Sequence, residues 1–142
     1  MQDMHSDLSV AAAINAATLT ADSTPTAIDL RGYDGAEIVL AIGAGGITFS
    51  GSNKIEFKLT HSNDDVTYEP VTKGDVLGVD QIGTGGVIKA LVAAHATAGV
   101  YRFGYVSGKR YLKLLAAFSG TCALWSTASD WCVAPRCKPP CA

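Results

Sequence analysis

No cysteine precedes Cys122, so the body of this chain is not a disulfide-stapled scaffold. At 142 residues it needs no staple, because a chain near this length buries roughly 68–70% of its unfolded surface. Charge is also scarce, at 17% of residues against an average near ~25%. With 48% hydrophobic residues this is no disordered chain. Eleven Lys and Arg against 13 Asp and Glu give a net charge of −2, and the pI is about 5.8. No basic cluster is present, which argues against a nucleic-acid partner. No 18-residue window is apolar throughout, so no transmembrane helix and no membrane partner are expected. The uncharged run from Leu114 to Ser129 is diluted by Ser119, Gly120, Thr121, Ser126 and Thr127. The start, Met1-Gln2-Asp3-Met4-His5-Ser6-Asp7, is acidic where a secretory leader is basic. Synthesis in the cytosol without a signal peptide follows as an expectation.

Catalytic signatures are missing as well. There is no Gly-x-Ser-x-Gly elbow, no His-Glu-x-x-His and no Cys-x-x-Cys. Gly43-Ala44-Gly45-Gly46 and Gly83-Thr84-Gly85-Gly86 complete no phosphate loop and read as turns and bulges. His5 lies in an arm, His61 in a turn and His95 among alanines. Each reads as a solvated or core-satisfied residue. Asn63-Asp64-Asp65 lacks the alternating carboxylates of a calcium loop and suits a polar turn. No enzyme and no cofactor are expected.

Strand signals are plentiful. In Lys54-Ile55-Glu56-Phe57-Lys58-Leu59-Thr60 the apolar residues alternate strictly with polar ones, the pattern of a strand with one buried face. Ala36 to Ile42 carries apolar groups on both faces, as a central or covered strand does. Ile47-Thr48-Phe49 and Val66 to Val71 read as short β runs, the latter after the turn His61 to Asp65. Gly99 to Tyr105 and Lys109 to Leu115 flank Val106-Ser107-Gly108, a hairpin signal. Leu8 to Ala17 fits one or two helical turns or an extended arm. Gly86 to Ala98 has some helical spacing, but Val87 to Val92 reads better as a strand before a turn. About eight short strands predict an all-β fold, a single antiparallel β-sandwich or jelly-roll-like domain. Its divisions are an N-terminal arm at 1–24, a body at 25–119 and a tail at 120–142.

The tail holds Cys122, Cys132, Cys137 and Cys141, spaced C-x9-C-x4-C-x3-C, and three of the five prolines follow Trp131. Proline removes backbone donors, so this piece is expected to run extended over a surface. Lys138-Pro139-Pro140 makes a poor zinc knuckle between Cys137 and Cys141. At ~3.1 Å per residue, cysteines four or five apart stand roughly 12–16 Å from each other. A bridge needs Cα atoms roughly 4.4–6.8 Å apart. Interchain disulfides are therefore preferred over bridges within the tail, with unrelated free thiols as the plain alternative. A protein made in a reducing cell and oxidised on release satisfies both conditions, as a virus particle does. Trp125, Trp131, Tyr101, Tyr105 and Tyr111 suit core and subunit contacts, or a sugar-stacking platform.

Three blocks carry a resemblance. Ala27-Ile28-Asp29-Leu30-Arg31-Gly32-Tyr33-Asp34, the turn Ser62 to Tyr68 and the tyrosine/glycine block Tyr101 to Lys113 resemble small tailed-bacteriophage virion proteins of the capsid decoration (cement) type. The likeness spans about Leu8 to Gly120, and the cysteine tail departs from it. It implies a structural protein on the capsid surface, a homotrimer bound to the major capsid protein. Neighbouring decoration subunits would be linked through the tail disulfides. Another virion part (head–tail connector, tail or fibre-associated protein) and a carbohydrate-binding adhesin module stand as alternatives.

Overall fold

The computed structural model describes residues 8–19, 21–45 and 49–119. Eight strands run through them: β1 (Ile28–Asp29), β2 (Ala36–Ile42), β3 (Lys54–Ser62), β4 (Glu69–Pro70), β5 (Val76–Leu77), β6 (Val87–Leu91), β7 (Gly99–Tyr105) and β8 (Tyr111–Ser119). All pairings are antiparallel and no helix occurs among the described residues, so the described part of the chain is all-β.

The strict alternation in β3 makes it the spine. Ile55, Phe57 and Leu59 are buried while Lys54, Glu56 and Lys58 face outward. One edge pairs with β8 over nine residues, from Lys54↔Ser119 to Ser62↔Tyr111. The other edge is shared, with β6 opposite Ile55 to Lys58 and β4 opposite Thr60 and His61. With β1 beyond β8, this is a five-stranded sheet. The register shifts between Phe57 and Lys58, and Gly86 serves the disturbed stretch. Its φ is +79°, its carbonyl accepts the Leu59 N–H at 2.8 Å, and a Cβ there would lie 2.3 Å from the Leu59 carbonyl oxygen. Only glycine fits.

The second sheet has the order β2-β7-β5. Ala36↔Tyr105 to Ile42↔Gly99 form its main ladder, and β5 adds two pairs. Both sheets feed one apolar core, with Phe57, Leu59 and Leu114 from the larger and Leu40, Phe103 and Tyr105 from the smaller.

Several expectations need correction. β7 and β8 do not form a hairpin; β7 belongs to the three-stranded sheet and β8 to the five-stranded one. The connection at 106–110 crosses between layers, tied by Val106 N–H to the Asp75 carbonyl. The reason lies in the faces: Phe103 and Tyr105 must be buried together with Leu112 and Leu114, and a change of layer brings both pairs into one core. Strand β2 is not central but ends its sheet, and its outward face is uncovered among the described residues. His61 and Ser62 belong to β3 and are buried, not part of a turn. The run Val66 to Val71 shrinks to β4, with Val66 exposed. Other readings hold: Val87 to Leu91 is a strand followed by a bend, as expected, and of the two readings of Leu8 to Ala17 the arm without helix is the one present. Ile47 and Thr48 lie outside the described residues.

Candidate interaction surface

Two short sequence features put polar groups inside the fold. His61 sits near the end of β3, where the core-facing alternation places its side chain inward, at 4% exposure. Tyr105 does the same at the end of β7. His61 Nδ1 and the Tyr105 hydroxyl are 2.9 Å apart, joining the two sheets through the core, with the rings edge to face. Burial lowers the His61 pKa below its ordinary value, with Lys109 adding to the effect while Asp75 and Glu69 oppose it. Burial likewise raises that of Tyr105. Hydrogen bonds from Ser107 and Thr72 hold Asp75 down to about 2 against the cost of its own desolvation. This arrangement is a structural latch: two buried ring side chains, one from each sheet, meeting through a hydrogen bond across the core.

The turn after β3 is built by Asp64. Its Oδ1 accepts from the Ser62 hydroxyl at 2.6 Å, the Val66 N–H at 2.9 Å and the Thr67 N–H at 2.8 Å, which brings its pKa to about 2. Asp65 adopts φ +57° and accepts from the Tyr68 hydroxyl. Lys113 of β8 then lies over the Tyr68 ring, 3.8 Å from its centre. The acidic turn is thus committed to its own backbone. Among the described residues no three His, Asp, Glu or Cys side chains gather to hold a metal.

The outer face of the three-stranded sheet has a different character. Val39 of β2 is 61% exposed, Val100 of β7 69% and Leu77 of β5 59%. Register places Val39 opposite Arg102, and Val100 opposite Ala41, so these side chains share one face. A single ion pair, Arg102 to Glu37 at 3.1 Å, crosses it. An exposed apolar face with an ion pair set within it is a form that protein-binding surfaces take.

A third feature lies at the side where β1 and β2 approach the core. There Leu8–Ala17 and Leu19, together with Leu, Ile and Phe side chains of both sheets, line a cleft of about 780 Å³. Ala13, Ile14 and Leu19 pack against the core, whereas Val10 is 95% exposed. From Asp22 onward the chain is fastened to β8. Ala116 N–H donates to the Ser23 hydroxyl at 2.8 Å, Ser23 N–H to the Ala116 carbonyl at 3.0 Å, and Phe118 N–H to Asp22 at 2.7 Å. Asp29 and Arg110 complete the anchor with a two-pronged pair at 2.9 and 2.7 Å that holds the Asp29 pKa near 2.

The residues singled out by sequence separate accordingly. Cys122, Cys132, Cys137, Cys141, Trp125, Trp131 and His5 lie outside the described residues. Tyr105 is in the core, Tyr101 packs against Lys89 and His95 on one side of the molecule, and Tyr111 lies under Arg110 in the other sheet. These three tyrosines form no common platform. The apolar outer face was missed, although the two-faced apolar pattern of Ala36–Ile42 was its signal. Comparison of the chain with protein-family models, curated proteins and solved structures finds no match. No helix among the described residues is long and apolar enough to cross a membrane.

Proposed function

We propose that the chain is a structural virion protein of the capsid decoration type, whose body is a β-sandwich of jelly-roll kind. The observation that carries this reading is the uncovered apolar face of β2, β7 and β5. Its strands have the composition of covered strands, and Val39, Val100 and Leu77 would gain most from a protein surface laid over them. A homotrimer seated on the major capsid protein supplies such surfaces, and the resemblance of residues 27–34, 62–68 and 101–113 to decoration proteins favours that partner. In this reading Cys122, Cys132, Cys137 and Cys141 link neighbouring subunits, resisting separation under the pressure of packaged DNA. The adhesin alternative loses support from the separation of Tyr101, Tyr105 and Tyr111.

The test is a gel of density-purified particles run with and without reductant. A ladder collapsing to the 14.7 kDa chain supports both decoration and crosslinking. A monomer in both lanes removes the disulfide network and keeps the particle location. Absence of the chain from particles overturns the reading.

A further inference from the structure

We infer that the cleft between the two sheets is a binding site for a neutral, long-chain apolar molecule of the fatty-alcohol class. Its volume of about 780 Å³ is the space that remains with the chain's own arm in place among the lining residues. Folded cores leave few voids larger than a water molecule, whereas ligand sites span roughly 300–1,000 Å³. The strands show where filling is missing. On β2 the alternation turns Ala36, Ile38, Leu40 and Ile42 inward, yet only Leu40 and Ile42 are buried. On β8, Phe118 continues the inward series of Leu112, Leu114 and Ala116 and is likewise only half-buried. Ile38 and Phe118 both line the cleft, so inward-facing apolar surface of both sheets is left partly uncovered there.

Charge selects the class of ligand. Among the described residues the lining holds no Lys, Arg or His, and its only charged side chains are Asp29 and Glu37. Asp29 is engaged by Arg110 and Glu37 by Arg102. An anionic head would meet two carboxylates and no cation, and a cationic head would find both carboxylates already paired. A hydroxyl needs only a hydrogen-bonding group, and Ser9, Asn15 and Tyr33 of the lining are of that kind. Shape selects a chain over a compact ring system. Every residue from Gly35 to Gly43 lines the cleft. That is about 26 Å of strand at ~3.3 Å per residue, a path that an extended alkyl group follows. The inference concerns the single chain and stands apart from any virion role.

The test is equilibrium dialysis of the full chain, in isolation, against tritiated dodecanol. Saturable uptake is expected, displaced by unlabelled dodecanol but not by the same concentration of dodecanoate or dodecylammonium. From decanol to dodecanol the affinity should rise roughly tenfold, because two further methylenes are buried. Ala13→Trp on the arm and Ile38→Trp on β2 each put bulk into the cleft. Each should weaken dodecanol binding at least about tenfold while the β signature in circular dichroism stays. Val100→Asp, on the outer face and outside the lining, should leave binding unchanged. Absence of saturable uptake overturns the inference, as does equal displacement by dodecanoate or dodecylammonium. Undiminished binding in either folded tryptophan variant, or its loss in Val100→Asp, overturns it too. Because no particle is involved, failure here leaves the particle experiment untouched.

Discussion

On the outward side of the five-stranded sheet, Glu56 lies between Lys54 and Lys58, and these two lysines lower its pKa. Nearby, Lys109 pairs with Glu69 and Lys113 approaches Asp65 at 3.8 Å. Outward on the three-stranded sheet, by contrast, valine, alanine and leucine surround a single Glu37–Arg102 pair. Both sheets bury an inner face in the same core, so the difference is not one of folding. Water satisfies the first surface as it stands, and a partner protein would satisfy the second. The larger sheet presents a charged outer surface, and the proposed partner would sit on the smaller one.

That division can be broken most severely in the larger sheet. Leu59→Ala, at 1% exposure, should cost about 4 kcal/mol in urea unfolding, against less than about 0.5 kcal/mol for Leu77→Ala on the outer face. Equal costs would remove the distinction. Next comes Gly86→Ala, expected to lose about 3 kcal/mol because the new Cβ meets a backbone oxygen at a positive φ. Gly85→Ala, at φ +81° but in open space, should lose only about 1 kcal/mol in the same measurement.

The joint between the sheets is the third place to press. Tyr105→Phe leaves His61 Nδ1 without its partner and should cost about 1–2 kcal/mol. His61 has a folded pKa below its unfolded value near ~6.5. Its contribution is therefore complete above about pH 6.5 and is lost as pH falls from there through the lowered folded value. Melting temperature followed downward from neutral pH should show a loss that His61→Leu flattens. The smallest effect on stability is expected from Val100→Asp, within about 0.5 kcal/mol. In that variant association with the partner surface, read by sedimentation or particle incorporation, should nevertheless disappear.

Much of the larger sheet was legible in the sequence because β3 alternates so regularly. Strands β7 and β8 were legible as strands but not in their pairing. A short Gly-containing link suits a hairpin and a crossing between sheets equally, and only the need to bury Tyr105 with Leu112 decides. The latch was hidden because His61 precedes a polar run and its partner is 44 residues away. The outer face was half visible: apolar residues on both sides of Ala36–Ile42 signal cover, yet Glu37, Val39 and Ala41 stand exposed among the described residues.

The fastening of Asp22 beside Phe118 also sets how the body bears load. The N-terminal segment runs antiparallel to β8, so residues 22 and 118 lie at the same end of their pairing. Tension applied between the arm and the chain leaving β8 would peel the two apart one bond at a time. Tension drawn along β8 against the rest of its sheet would meet the nine-residue ladder with β3 in shear, where the bonds resist together. The direction of pull, more than its size, would determine whether the body yields.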